Sequence, residues 1–254
     1  VAVAVTLQAL LAEANRLMEP EAFQDYCPNG LQVEGRGEVR RLVSGVTASQ
    51  ALIDAAIEQR ADAILVHHGF FWRGEDPCLR GMKRRRIAAL LENDISLIAY
   101  HLPLDAHPAL GNNAQLAKRL GIVVDGGMDA GPRSVGNVGH FSEALAPEQL
   151  AQRLVDVLGR EPLVECVGEQ PIKRIAWCTG AAQSYIDKAA ALGVDAYLSG
   201  EVSEPTIHSA REQGVHYFAA GHHATERYGV QALGEALCRA LGVEHRFIDI
   251  DNPA

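Results

Sequence analysis

No run of apolar residues in this chain approaches the ~20 needed to span a bilayer as a helix, so no membrane-spanning segment is expected. Cysteine is sparse and unpatterned. Cys27, Cys78, Cys166, Cys178 and Cys238 are odd in number and never spaced as CxxC. That spacing argues against a disulfide framework and against a cysteine-type zinc site, and it suits a reducing cytoplasm. The apolar opening Val1–Val5 lacks a basic n-region and a cleavage site, so it reads as a leading strand and not as a secretory signal. There is no GxxxxGK[ST] loop and no GxGxxG turn, so any nucleotide must be held by other means. Positive charge is also short, with 23 Lys and Arg against 32 Asp and Glu, a net charge of −9. Such a balance disfavours broad binding to nucleic acid or to anionic membranes. One local run, Lys83-Arg84-Arg85-Arg86, goes the other way and is either a solvated helix face or a grip for phosphate or nucleic acid.

What the chain does have is ordinary globular composition over 254 residues, with 48% hydrophobic and 22% charged side chains. That length holds two compact lobes or one large α/β domain. An internal repeat decides between them. Arg41–His68 matches Arg174–Glu201 without a gap, 133 positions apart, with Arg41/Arg174, Ile53/Ile186, Asp54/Asp187 and Asp62/Asp195 among the identical pairs. Each copy runs from a short buried strand (Leu42–Val46, Ile175–Cys178) through an amphipathic helix (Gln50–Gln59, Gln183–Leu192) to a second strand (Ala63–Val66, Ala196–Leu198). That is a βαβ unit, which favours a parallel or mixed sheet covered by helices. The copies continue through helices near Lys83–Glu92 and Glu204–Gln213 and strands Ser96–Ala99 and Val215–Ala219. They end in His-x-x-x-acid, with His101 and Asp105 set 121 positions before His222 and Glu226. The expected fold is α/β, two related lobes about a pseudo-two-fold axis with the site in the cleft between them. The glycines of Asp125-Gly126-Gly127 and Gly131-Pro132 read as a linker. Residues 1–125 with 228–254 are expected to form the first lobe, and 126–227 the second. The last helix, Gly229–Leu241, and strand, Val243–Ile250, would return to the first lobe.

Candidate metal ligands cluster where strands end. His67-His68-Gly69 follows a strand, and sites in open α/β sheets form at the carboxyl ends of strands. Neighbours on a regular strand point to opposite faces, so either the chain turns at Gly69 or each histidine serves a different ion. Asp105 ends the next strand and loop. His222 and Glu226 are four apart and share one face of a helix starting near Gly221. Imidazole and carboxylate together suit zinc, iron, manganese or nickel, and one carboxylate can bridge two cations. The expected ligands are therefore His67, His68, Asp105, His222 and Glu226, around two divalent ions. Glu201 takes the place of His68 in the second copy and His101 that of His222; both are candidates for orienting ligands or moving protons. His208 and His216 read as structural.

His-His-Gly (67–69), Tyr-His-Leu-Pro-Leu-Asp (100–105), Gly-His-His-Ala-Thr-Glu (221–226) and Asp-Tyr-Cys-Pro-Asn-Gly-Leu-Gln-Val-Glu-Gly (25–35) resemble the motifs of the NIF-three-like family. Its bacterial members often carry the name GTP cyclohydrolase type 2 homologue. The resemblance spans essentially the whole chain. It implies two α/β lobes, a ring-shaped homohexamer with metal sites facing an internal cavity, and dinuclear ligands on the same five residues. Three functions follow as expectations. The first is a metal-dependent hydrolase acting on a small substrate, such as a nucleotide opened as by a GTP cyclohydrolase, with His101 or Glu201 as proton shuttle. Asn29, Arg73 and Lys83–Arg86 would be candidate nucleotide contacts. The second is a non-enzymatic, metal-binding oligomer that regulates or interacts. The third, DNA binding through the ring, is opposed by the net charge.

Overall fold

The computed structural model describes residues 3–254. Of the expected leading strand, Val1 and Ala2 lie outside the described residues, and the first strand is Val5–Thr6, paired antiparallel with Glu38–Val39. The described residues hold no helix long and apolar enough to cross a membrane. The chain forms two compact units: residues up to Leu104 with Gly229–Asp251, and Asp105–Tyr228 with Asn252–Ala254.

In the first unit a five-stranded sheet runs in the order Glu244–Phe247, Arg41–Thr47, Ala63–His68, Ser96–Ala99, Gly30–Val33. The first four strands are mutually parallel, and Gly30–Val33 joins antiparallel at one edge. Central strands of a covered parallel sheet bury both faces and so read as continuous apolar runs. Ile64, Leu65 and Val66 are fully buried, as are Leu97 and Ala99. Helix Gln50–Glu58 starts where the Ser49 hydroxyl accepts the Leu52 N–H at 3.2 Å, and its Leu52, Ile53 and Ala56 enter the core. The last strand pairs with Arg41–Thr47, so the C-terminal segment completes this unit's sheet.

The second unit has six strands in the order Ile122–Gly127, Asn137–Leu145, Ile172–Cys178, Ala196–Ser199, His216–Ala219, Leu163–Glu165. Its three parallel strands are the repeat, flanked by antiparallel neighbours. The division of the chain falls at 104/105, not at 125/126. Leu116, Ala117 and Leu120 of helix Asn112–Leu120 pack into the second unit's core with Phe141, Leu150 and Trp177. Asp125-Gly126-Gly127 is no linker, because it finishes a strand hydrogen-bonded to Asn137–Leu145. Glycine supplied a false boundary signal there.

Strand register repeats with the sequence. Leu42 pairs with Ala63 and Ile175 with Ala196, each 133 positions on. The shared Asp of the two copies has one structural job. Asp62 Oδ2 accepts the N–H groups of Arg40 and Arg41 at 2.8 and 2.9 Å, and Asp195 Oδ2 accepts those of Lys173 and Arg174 at 2.9 and 2.8 Å. A carboxylate thus closes the start of the first strand in each copy of the repeat. Beyond the second strand the register corrects the sequence alignment. Ala63 pairs with Ser96 and Ala196 with His216, a spacing of 120 that still holds where Tyr100 and Ala220 bond back to Val66 and Ser199. The equivalence of His101 with His222 is therefore displaced by one residue, and helix Leu102–Ala106 corresponds to His222–Thr225 from its first residue.

Candidate metal-binding groups in the two units

In the first unit the strand Ala63–His68 carries through both histidines, and Thr47 pairs with His68. Even so, the rings of His67 and His68 have centroids only 4.5 Å apart. Together with His101 they bring three imidazoles to one place, each offering a nitrogen within 4.8 Å of the others. Gly69 is needed here for closeness. A Cβ on it would stand 2.1 Å from Gln32 Oε1 and 2.9 Å from the Ala99 Cβ. Gln32 in turn clamps the next residue, accepting the Phe70 N–H at 2.7 Å and donating to the Phe70 carbonyl at 3.1 Å.

Each imidazole is held through Nδ1. The fully buried His67 donates Nδ1–H to the Tyr100 carbonyl at 2.9 Å, which puts the lone pair of its neutral ring on Nε2. His68 Nδ1 shares a hydrogen bond with the Thr47 hydroxyl at 2.9 Å. His101 Nδ1 donates to Asp25 Oδ1 at 2.7 Å. Asp25 also accepts from Asn29 Nδ2 and from the N–H groups of Tyr26 and Leu102. Burial alone would raise the Asp25 carboxyl; the hydrogen bonds from His101, Asn29 and Leu102 and the charge of His101 outweigh it and bring the pKa down to about 2. Cys27 approaches Asp25 and His101 closely enough for metal sharing. Burial first, and the Asp25 charge second, push its thiol up to about 12.

In the second unit the donors are mostly oxygen. Asp105 is buried, and its Oδ1 accepts from Asn112 Nδ2 at 2.9 Å and Thr179 Oγ1 at 3.3 Å. His222 opens the short helix His222–Thr225, and its Nε2 lies 3.1 Å from Oε2 of the buried Glu226, which caps that helix. Its Nδ1 donates to Glu201 Oε1 at 2.6 Å. Burial would lower the His222 pKa, but the hydrogen bonds and charges of Glu226 and Glu201 raise it to about 9. The pocket between these two acids thus calls for positive charge, a proton or a cation. Gly180, at φ +74°, is the floor: a Cβ there would lie 2.2 Å from Glu226 Oε1 and 3.2 Å from His222 Nε2.

Four imidazoles with Nδ1 engaged by oxygen, and two buried carboxylates, make a donor chemistry that fits a borderline divalent cation. Residues 5–253 match the family Duf34/NIF3 (NGG1p interacting factor 3). The chain belongs to the Duf34/NIF3 family. A Pseudomonas aeruginosa member named "GTP cyclohydrolase 1 type 2 homolog" is 62% identical over 252 residues, 99% of this chain and 100% of its own. A Vibrio cholerae protein of the same name is 59% identical, over 97% of this chain and 98% of its own. Among solved structures, protein ybgI, described as of unknown function, is 52% identical with a TM-score of 0.95, covering 98% of this chain and 100% of its own.

Within this NIF3-family chain, the sequence-expected residues divide into His67, His68 and His101 in the first unit and Asp105, Glu201, His222 and Glu226 in the second. Sequence reasoning missed Asp25, Thr47, Asn112 and Thr179, the residues that hydrogen-bond the candidate donors; Asp25 lay in a motif already noted, and Thr47 and Thr179 in the repeat. Asn29, expected as a nucleotide contact, spends its amide on Asp25 and on the His101 N–H. In the basic run, Lys83 bonds Glu75 Oε1 and the Asp76 carbonyl, while Arg84 and Arg85 are exposed on helix Gly81–Glu92. His216 is a satisfied core histidine, bonded to the Val167 N–H and the Gln170 carbonyl.

Proposed function

We propose that this chain is a metal-dependent hydrolase whose two groups of donors serve one pair of divalent ions. His67, His68, Asp105, His222 and Glu226 would hold the ions in this reading. The observation that carries it is the fixing of His67, His68 and His222 through Nδ1 by a carbonyl, a hydroxyl and a carboxylate, the support that metal-binding imidazoles need. Ions bound there would lower the pKa of water to near neutrality and polarise the bond under attack. The chain's own residues do the rest. Glu201 keeps His222 in one tautomer, and His101, oriented by Asp25, holds or passes the proton. Zinc, iron, manganese and nickel all suit the set, and the substrate is small, with nucleotides first in line because of the relatives' name. A homohexamer in a reducing cytoplasm is part of the proposal; all five cysteines are free thiols, as that compartment requires.

The test is metal content by elemental analysis, with turnover of GTP and a phosphoester panel, for wild type and Glu226→Ala. About two ions per chain in wild type, lost with turnover in the variant while its circular dichroism is kept, is the expected result. Two ions with no turnover would favour a non-enzymatic metal-binding regulator. Fewer than one ion, readily stripped by chelator, would defeat the ligand assignment. Light scattering checks the hexamer.

A further inference from the structure

Beside the three imidazoles of the first unit stand aromatic side chains that the ligand set does not use. Trp72 meets His101 edge-on with ring centroids 5.0 Å apart, at 89°, and lies 6.1 Å from the His68 ring. Tyr26 flanks His101 from 6.3 Å, at 67°. Tyr26 is 58% exposed, and Trp72 is half-buried. Arg73 places its guanidinium 5.8 Å from the Tyr26 ring centroid.

These rings are not on a loose loop. The Arg73 N–H donates to the Tyr26 carbonyl at 2.7 Å, and its guanidinium donates to the Asp25 carbonyl at 2.8 Å. Segments 25–29 and 69–73 are thereby tied edge to edge. Gln32 fixes Phe70 from below, and Asp25 fixes the Tyr26 N–H together with the His101 ring. Phe71 adopts φ +64°, a strained conformation for an aromatic residue, which the clamps on either side impose. Exposed rings held this firmly lose little freedom when a ligand stacks on them.

We propose that Tyr26, Trp72 and Arg73 form a binding subsite for a flat, electron-rich heteroaromatic ring bearing an anionic group, seated next to His68 and His101. The two rings supply faces and edges for stacking, and Arg73 the positive charge for the anion. The subsite deepens the hydrolase reading and rests on it for its place beside the ions, but its residues are separate from the ligand set.

The chain carries its own reporter. It has two tryptophans; Trp177 is fully buried, with its indole N–H on the Asn113 carbonyl, so it gives a constant background. The experiment titrates metal-loaded protein with AMP, GMP, CMP and UMP, with guanosine and ribose 5-phosphate as controls. It reads tryptophan fluorescence and calorimetric affinity, and measures metal content on the same sample. Saturable quenching by a nucleoside monophosphate is expected, with none by ribose 5-phosphate. Trp72→Phe should abolish the quenching yet keep the affinity within a fewfold. Trp72→Ala and Tyr26→Ala should each weaken binding by about tenfold or more, as loss of one stacked ring does. Arg73→Ala should weaken the monophosphate by a larger factor than guanosine. Equal binding of ribose 5-phosphate, an unchanged affinity in Trp72→Ala, or no quenching by any nucleotide in a fully metal-loaded sample would each overturn the subsite. A sample that fails to hold metal at all fails the hydrolase reading instead.

Discussion

Replacing Gly180 by alanine separates a metal pocket from an ordinary turn, because the chain contains its own control. Gly180 and Gly159 share φ +74°. A side chain in that left-handed region costs ~1–2 kcal/mol at either position. Around Gly159, the residue after helix Pro147–Leu158, a Cβ would meet nothing within 4 Å. At Gly180 it would sit 2.2 Å from Glu226 Oε1. Restoring ordinary contact pushes that oxygen back by about 1 Å, several times the ~0.2 Å within which metal–ligand distances are held. Crowding a packed interior adds ~1–3 kcal/mol to the strain. Urea unfolding should therefore rank wild type above Gly159→Ala and Gly159→Ala above Gly180→Ala. Elemental analysis after dialysis should find wild-type metal in Gly159→Ala, and an affinity in Gly180→Ala reduced at least ~10–100-fold. If Gly180→Ala unfolds with Gly159→Ala and keeps its full complement of metal, the carboxylate it crowds is not a ligand.

Three further outcomes follow from particular contacts. Glu201→Gln should keep the fold but lose ~10–100-fold in metal affinity, since it removes the carboxylate on His222 Nδ1; unchanged metal isotherms would leave Glu201 no orienting role. Asp62→Ala and Asp195→Ala should each cost ~1.5–3 kcal/mol in urea unfolding, because each strips a charged acceptor from two backbone N–H groups; a loss at only one would break the equivalence of the copies. Burial lowers the His245 pKa below its usual 6.5, with Glu235 partly opposing, and Ser44 Oγ lies 2.7 Å from its Nε2. Above that pH both folded and unfolded chains hold a neutral ring. As the pH falls, the unfolded chain takes up a proton that the folded one refuses, so this stability is lost between pH 6.5 and the lower folded value. Urea midpoints at about pH 7.5 and about pH 5.5 should converge in His245→Gln relative to wild type; equal slopes would rule the ring out.

The repeat was readable because buried parallel strands and their covering helices leave a periodic apolar pattern, and the strand register reproduces its spacing. Boundaries were less readable. Gly126 and Gly127 end a strand, and only packing shows that Leu116 and Leu120 belong to the second core. The alignment slipped by one residue after Tyr100 because matching His-x-x-x-acid is a pattern of side chains, whereas the strands are aligned by backbone hydrogen bonds. Candidate donors could be picked from sequence since histidines and acids gather at strand ends. Their supports could not, because Thr47, Asn112 and Thr179 are common residues whose task depends on distant partners. Asp25 lies 76 positions from the histidine it orients.

The carboxylate under Nδ1 of His222 comes from Glu201, the counterpart of His68, whereas the one under His101 comes from Asp25, outside the repeat. The first half has therefore filled its acid position with another imidazole and borrowed an acid from its N-terminal loop. Nitrogen predominates among the candidate donors of the first half and oxygen among those of the second. Left to itself, the first would prefer copper or nickel and the second harder ions such as manganese or magnesium. If the two groups of donors serve the same ions as proposed, selectivity for one kind of metal would belong to neither half alone, and drift in either would change which element they accept.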